Sequence, residues 1–456
     1  MKTTLINCAA KASKKLDGTR VPLGCLYLLA AAREAGFNVR FRDYQLQKLK
    51  DPLDPISFFR FIEDDSEVLA ISCMSNLLPL VLAATRVYRS RHPSRKIILG
   101  GIGPSGVAER LMAEFQHIDV VVKGEGDAAF PELLKALEKK RPLNGVDGLV
   151  MRDLNGKVHA AKPVKRIRDL DKLPLPAYDL VDMRAYEGTG IQTARGCTYP
   201  CTFCDVSSYW GFNTCYRSLE PVMNELELLE KKYHFDKVNI LDDTFVIDPQ
   251  RALRFCDAFL KRNLKVGWSA YCRVDSLTDE VMEAFAKAGC YRLFLGIESG
   301  SNDILQRISK PIDHDMLFRT VKKAAGYFII RTNLIWGFPF ETMEDLKASV
   351  DMLLYLKVLG CDVSLSLLSP LPLSRLYNEY MHDIVLREGF QSGMVSSRFY
   401  LPDGGDIVDG KPDELVSLIW KHPDIFPGFY TFKDGLFNEK VDYLISCGLE
   451  IEKLAR

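Results

Sequence analysis

Cys197, Cys201 and Cys204 stand in one short segment, ARGCTYPCTFCDVSSYWG (194–211), at a C-x3-C-x2-C spacing. Gly196, Thr198, Pro200 and Asp205 make the segment a tight loop, a poor setting for three small core residues on a packed helix face. A closed structural zinc site takes four ligands, usually from paired sets, and Cys215 is the only nearby spare. A four-iron, four-sulfur cluster is held by thiolates, and four cysteines saturate it; three leave one iron open to a substrate or cofactor. Types, spacing and loop context favour such a cluster, with zinc binding and core packing as the competing readings.

Further polar groups recur at regular intervals after this loop. In LDDTFVID (241–248), Asp248 precedes a proline and reads as a helix cap, whereas Asp242 and Asp243 are placed to point inward as candidate catalytic groups. Arg273, in YCRVD, can meet a carboxylate ligand through charge-assisted hydrogen bonds or pair with Asp275. Glu298, in GIESG, is a strand-end carboxylate of the kind that accepts ribose hydroxyls, although Ser299 to Ser301 also suit a helix start.

The elements that must position these groups can be read from hydrophobic period. Strands are predicted over 3–9, 38–43, 67–72, 95–101 and 118–124, with helices over 22–36, 56–64, 78–91, 105–115 and 128–139. That alternation implies a doubly wound parallel layer, with ligands beyond the carboxyl ends of the strands. GGIGPS (100–105) and GEGD (124–127) fall at such ends, where glycine lets backbone approach a ligand. Asn155-Gly156 marks a hairpin, and the prolines of DLDKLPLPAYDL a linker. Strands then return over 189–194, 237–242, 265–271, 291–297, 328–336 and 362–368. Helices are predicted between them over 221–233, 249–262, 278–288, 313–325 and 342–358. Six such units imply a partial barrel with its chemistry on the loops after the strands. The organisation expected is a front domain over 1–145, a hairpin and linker over 146–184, a barrel over 185–380 and a capping region over 381–456.

The motif RGCTYPCTFC resembles that of the radical S-adenosylmethionine (radical SAM) superfamily. The resemblance implies that Cys197, Cys201 and Cys204 hold a 4Fe-4S cluster whose open iron is chelated by S-adenosylmethionine, which is cleaved to a 5′-deoxyadenosyl radical. It further implies that Phe203 packs near the adenine and that Asp243, Arg273, Glu298, Ser299 and Gly337 surround the same cofactor. Gly337 and Pro339 belong to a Gly-Phe-Pro-x-Glu-Thr segment that passes under the adenine, and Glu341-Thr342 reads as a helix start. The front segments around Leu23, Gly24, Ser72, Ser75, Gly100, Gly101, Gly103, Ser105, Gly124 and Glu125 resemble the cobalamin-binding domain found ahead of many such enzymes. The fold implied is α/β: a Rossmann-like (flavodoxin-like) cobalamin-binding domain, then a partial (β/α)6 TIM-like barrel and a small C-terminal region. No histidine stands in an Asp-x-His-x-x-Gly context, so cobalamin would bind without that axial ligand. Cys8, Cys25 and Cys73 invite comparison with the methylthiotransferase branch, whose front domain holds a second cluster. Their scatter over two strands and a helix fits buried free thiols better.

Composition bounds the rest. Lys plus Arg and Asp plus Glu are equal at 60 each in 456 residues, which disfavours nucleic acid as a partner. No apolar run reaches the roughly 18 residues of a membrane span, and 12 scattered cysteines suit a reduced, cytoplasmic setting. The expected activity is transfer of a methyl group from methylcobalamin to an unactivated carbon of a small-molecule or lipid-like substrate. An external donor of flavodoxin or ferredoxin type would supply electrons. A cobalamin-assisted cyclisation or rearrangement is the alternative within the superfamily; a non-catalytic iron–sulfur or zinc ligand-binding protein is the alternative outside it.

Overall fold

The computed structural model describes residues 1–9, 19–47, 49, 51–387 and 413–449. The aromatic and glycine-rich stretch 398–406 lies outside them.

The front unit is built on a seven-stranded sheet of β1 (Thr3–Cys8), β2 (Val39–Asp43), β3 (Val68–Cys73), β4 (Lys96–Gly100), β5 (Val120–Val122), β6 (Leu149–Arg152) and β7 (Val158–Ala160). Its order is β2-β1-β3-β4-β5-β6-β7, parallel through β5 and antiparallel at β6 and β7. VLAISC, KIILG and VVV are continuous apolar runs because helices cover both faces. The hairpin at Asn155-Gly156, with Gly156 at φ 79°, thus extends this sheet. The helix predicted over 105–115 is two, Ile102–Ser105 and Ala108–Glu114. Between them Val107 adopts φ −130° and turns its side chain into the core.

The barrel unit is a six-stranded parallel sheet in the order β15-β14-β13-β12-β11-β8. Its strands are β8 (Thr189–Ile191), β11 (Lys237–Ile240), β12 (Gly267–Arg273), β13 (Cys290–Glu298), β14 (Ile329–Trp336) and β15 (Asp362–Leu367). The strand predicted over 189–194 stops at Ile191. The chain then forms β9 (Ala194–Arg195), which pairs antiparallel with β10 (Cys215–Tyr216) and brackets the cysteine loop. Cys215 is therefore a buried strand residue. Asp248 accepts hydrogen bonds from the Gln250 and Arg251 amides, Thr278 caps Asp279–Lys287, and Thr342 forms a capping box with Asp345, which fixes three of the outer helices. Trp268 packs edge-on against Phe255 and Phe285 of those helices.

The C-terminal region spans both units. Helix Asp413–Lys421 contributes Leu415, Leu418 and Ile419 to the front unit's core, whereas Phe437–Ser446 packs on the barrel, with Phe437 stacked on Trp336 at 5.4 Å. Among the described residues no helix is long and apolar enough to cross a membrane.

Candidate functional site

The cysteine loop leaves β9 at the mouth of the barrel and is pinned from several sides. Asp242, fully buried, accepts through Oδ1 from the amides of Thr193 (2.6 Å) and Ala194 (2.9 Å), and through Oδ2 from the Thr193 hydroxyl. Asp243 Oδ2 accepts from the Gly196 amide at 2.9 Å. Burial pushes the Asp242 carboxyl up to about 6 and raises that of Asp243. Both sequence-predicted catalytic candidates are thus occupied as clamps on residues 193–196. Gly196 has φ 97°, and a Cβ there would strike the Asn213 carbonyl. The Thr202 amide donates to the Ile308 carbonyl and the Leu376 amide to the Thr202 carbonyl, tying the middle of the loop to the barrel. Cys197 Sγ lies 3.8 Å from the Thr244 hydroxyl.

Two cations face the thiols. Arg273 forms a two-pronged ion pair with Asp275 (2.9 and 2.6 Å), lies 4.0 Å over the Tyr199 ring, and turns Nη1 toward Cys201 Sγ at 3.9 Å. The ion pair and the approach to the site, posed as alternatives by the sequence, coexist. Burial raises the Cys201 thiol, opposed by Lys310 and Arg273, and burial pushes Cys204 up to about 12. Among the described residues no three His, Cys, Asp or Glu side chains form a set for a single ion. Three thiols on one clamped loop, flanked by guanidinium and ammonium, are a donor set for a polynuclear, thiolate-bound cluster.

Glu298 ends β13 after a register shift at Gly296 and holds φ 68°, a strained value for a residue with a Cβ. The distortion directs its carboxylate to Lys310 at 2.6 Å, both side chains being buried. Ser299 is fully buried and bonds the Ser349 hydroxyl at 3.0 Å, so it supports the turn from inside. Ser301 caps the short helix Asn302–Arg307. Gly337 has φ 85° and donates its amide to Glu341 Oε2 at 2.8 Å. Phe203 meets Phe338 edge-on at 6.5 Å, so the cysteine loop and the Gly-Phe-Pro segment touch. Sequence reasoning missed Lys310 and Lys440. Lys440 is fully buried and bonds the Glu341 carbonyl (2.7 Å), Glu341 Oε2 (3.1 Å) and Asp434 (2.6 Å). Neither lysine stands in a local pattern that could have flagged it.

A cavity of about 310 Å³ opens at the carboxyl ends of β1, β3, β4 and β5. Its floor is apolar, from Leu5, Ala70, Ile98, Val122 and Phe130, and its far wall is barrel: Gln192, Arg195 and Leu241. Leu23, Gly24, Ser72, Gly100, Gly101, Gly124 and Glu125 line it. Ser105 donates to the Gly101 carbonyl at 2.7 Å and faces a neighbouring cavity, while Ser75 and Gly103 line a different crevice against Pro370–Pro372. The Glu125 carboxylate accepts from Arg195 (2.9 Å) and the Ile167 amide (2.8 Å), and Asp127 also pairs with Arg195 (2.8 Å). Arg195, next to the cysteine loop, thereby docks the two units.

The radical SAM superfamily profile matches residues 191–353, and the B12 binding domain profile residues 13–134. An uncharacterised methyltransferase of Pyrococcus horikoshii is 31% identical over 375 residues, 80% of each chain. The chain belongs to the radical SAM superfamily and carries a B12-binding domain. The enzyme is also 26% identical over 299 residues to an anaerobic magnesium-protoporphyrin IX monomethyl ester cyclase of Synechocystis, across 63% of this chain and 59% of that one. Its fold matches the radical SAM methyltransferase TsrM of Kitasatospora setae, solved with cobalamin and a [4Fe-4S] cluster bound. There the TM-score is 0.67 at 19% identity, covering 84% of this enzyme and 75% of TsrM.

Proposed function

We propose that the enzyme is a cobalamin-dependent radical SAM methyltransferase acting on an unactivated carbon of a small organic substrate. The observation that carries this reading is the shared cavity: front-sheet strand ends form one side, and barrel residues adjoining the cysteine loop form the other. Cys197, Cys201 and Cys204 would hold the 4Fe-4S cluster; Arg273 and Lys310 offset its thiolate charge. Phe203, Phe338 and the Gly337 turn offer one side of a pocket for S-adenosylmethionine, and Glu298 a buried acceptor. The apolar floor of the cavity suits the flat base of cobalamin's nucleotide tail, and Gly24 leaves it clear, since a Cβ there would meet nothing within 4 Å. None of the seven histidines lines the cavity, so its lining offers cobalamin no imidazole. When bound, the cluster supplies the electron that splits the sulfonium, and cobalamin carries the methyl group. The chain's part is to fix the loop, neutralise charge and exclude water.

Anaerobic reconstitution with iron, sulfide, cobalamin, S-adenosylmethionine and a strong reductant tests this directly. 5′-Deoxyadenosine together with S-adenosylhomocysteine is the expected product pair, and Cys197→Ala abolishes both. 5′-Deoxyadenosine alone would favour a cyclase, the activity named for the Synechocystis relative; neither product would refute the radical reading.

A further inference from the structure

Alternate residues of the barrel strands face opposite sides, and the inner face is unusual. Trp268, Ala270, Cys272, Leu293 and Leu295 are buried toward the helices. In closed barrels the inward residues fill the lumen with branched aliphatic layers. Here they are aromatic, amide, hydroxyl and guanidinium groups, several open to solvent. Tyr271 is 44% exposed, and its ring stacks on Phe294 with centroids 4.5 Å apart and planes 18° from parallel. Ser364 and Ser366 both donate to Asn333 Oδ1 at 2.8 Å. Below the stacked pair, Arg292 lies against the rings of Tyr291 (5.4 Å) and Phe294 (6.0 Å). Its Nε is buried without a hydrogen-bond partner. Arg331, the neighbouring arginine, is bridged to Asp362 at 3.3 Å, but among the described residues no carboxylate pairs with Arg292.

We propose that this trough is the substrate site and that the substrate is a flat unsaturated ring bearing an anionic oxygen group. The inference rests on the cysteine loop holding the cluster. Arg273, whose guanidinium reaches Cys201, is two residues beyond Tyr271 on β12, so the Tyr271–Phe294 stack stands roughly 7 Å further down the strand than the arginine that meets the thiols. Arg292 is two residues before Phe294 on β13, which places the anion roughly 7 Å lower again. The stack holds the ring face, Arg292 takes the anion and gives its orphaned Nε a partner, and a saturated carbon borne on the ring edge farthest from the anion is presented to the cofactors.

The test is binding to the reconstituted holoenzyme, followed by ligand-observed NMR titration with 1-naphthylacetate, its neutral primary amide and cyclohexylacetate. The acid is expected to bind, the amide about tenfold more weakly or worse, and the unstackable cyclohexyl acid several-fold more weakly. R292M should erase the preference for acid over amide and R292K restore part of it, while Y271A should erase the preference for naphthyl over cyclohexyl. The visible absorption of the cluster reports whether each variant has folded; if R292M fails that check, the wild-type ratios and Y271A decide. No binding of the acid, equal affinity for acid and amide, or a preference surviving R292M overturns the proposal. These titrations need no turnover, so a failure here is separable from an enzyme that releases no 5′-deoxyadenosine.

Discussion

Asp242 holds its proton more tightly in the folded chain than in the unfolded one, since burial moves its carboxyl from 3.8 to about 6. Stability from this group is therefore full below the unfolded value and is lost as the pH rises through about 6. Asp242→Asn keeps an oxygen for both backbone amides and removes the charge. In denaturant titrations of the cluster-free protein, this variant should gain on the parent by up to about 3 kcal/mol between about pH 4 and pH 8. Asp243→Ala acts differently: it frees the Gly196 amide and loosens the loop, so the fold should persist while iron is lost faster to a chelator. The cysteines and Arg273 could be singled out in the sequence because their chemistry is local. What the Asp242-Asp243 dipeptide could not disclose is that both carboxylates accept hydrogen bonds from backbone amides of residues 193–196. Lys310 and Lys440 were invisible because only tertiary packing brings each to its carboxylate.

At the level of elements, the parallel strands and most helices were readable, since continuous apolar runs and amphipathic spacing report burial directly. The β9–β10 ladder was not, being two residues on each strand and set by the clamps rather than by its own pattern. Glycines at strand ends were read alike from sequence, yet the structure separates them. A Cβ on Gly103 would fall 2.6 Å from the Met74 carbonyl carbon and 2.7 Å from the Ser75 nitrogen, so backbone would have to move. Gly103→Ala should lower stability by about 2 kcal/mol or more, measured by chemical unfolding. Gly24→Ala meets nothing in the protein and sits in the helix Leu23–Glu34, so stability should hold or rise slightly. Its methyl group enters the cavity, and cobalamin retention, read from the visible spectrum after gel filtration, should fall.

Across the whole molecule, the two units are joined by buried charge. Arg195→Met would leave Glu125 and Asp127 without their cation, and breaking a buried pair of this kind costs about 3–5 kcal/mol. Calorimetry of the variant should show the front and barrel units melting separately where the parent melts as one. The C-terminal region adds a second tie, with one helix on each unit, which no composition or spacing argument anticipated. Lys440 lies 99 positions after the residue whose carbonyl it holds. On the ribosome, all six barrel strands are therefore made well before the Gly337 turn can be locked. Iron loaded before that lock forms would sit beside an unfinished wall, and a chain shortened before Lys440 should assemble a barrel that cannot keep its nucleoside partner in place.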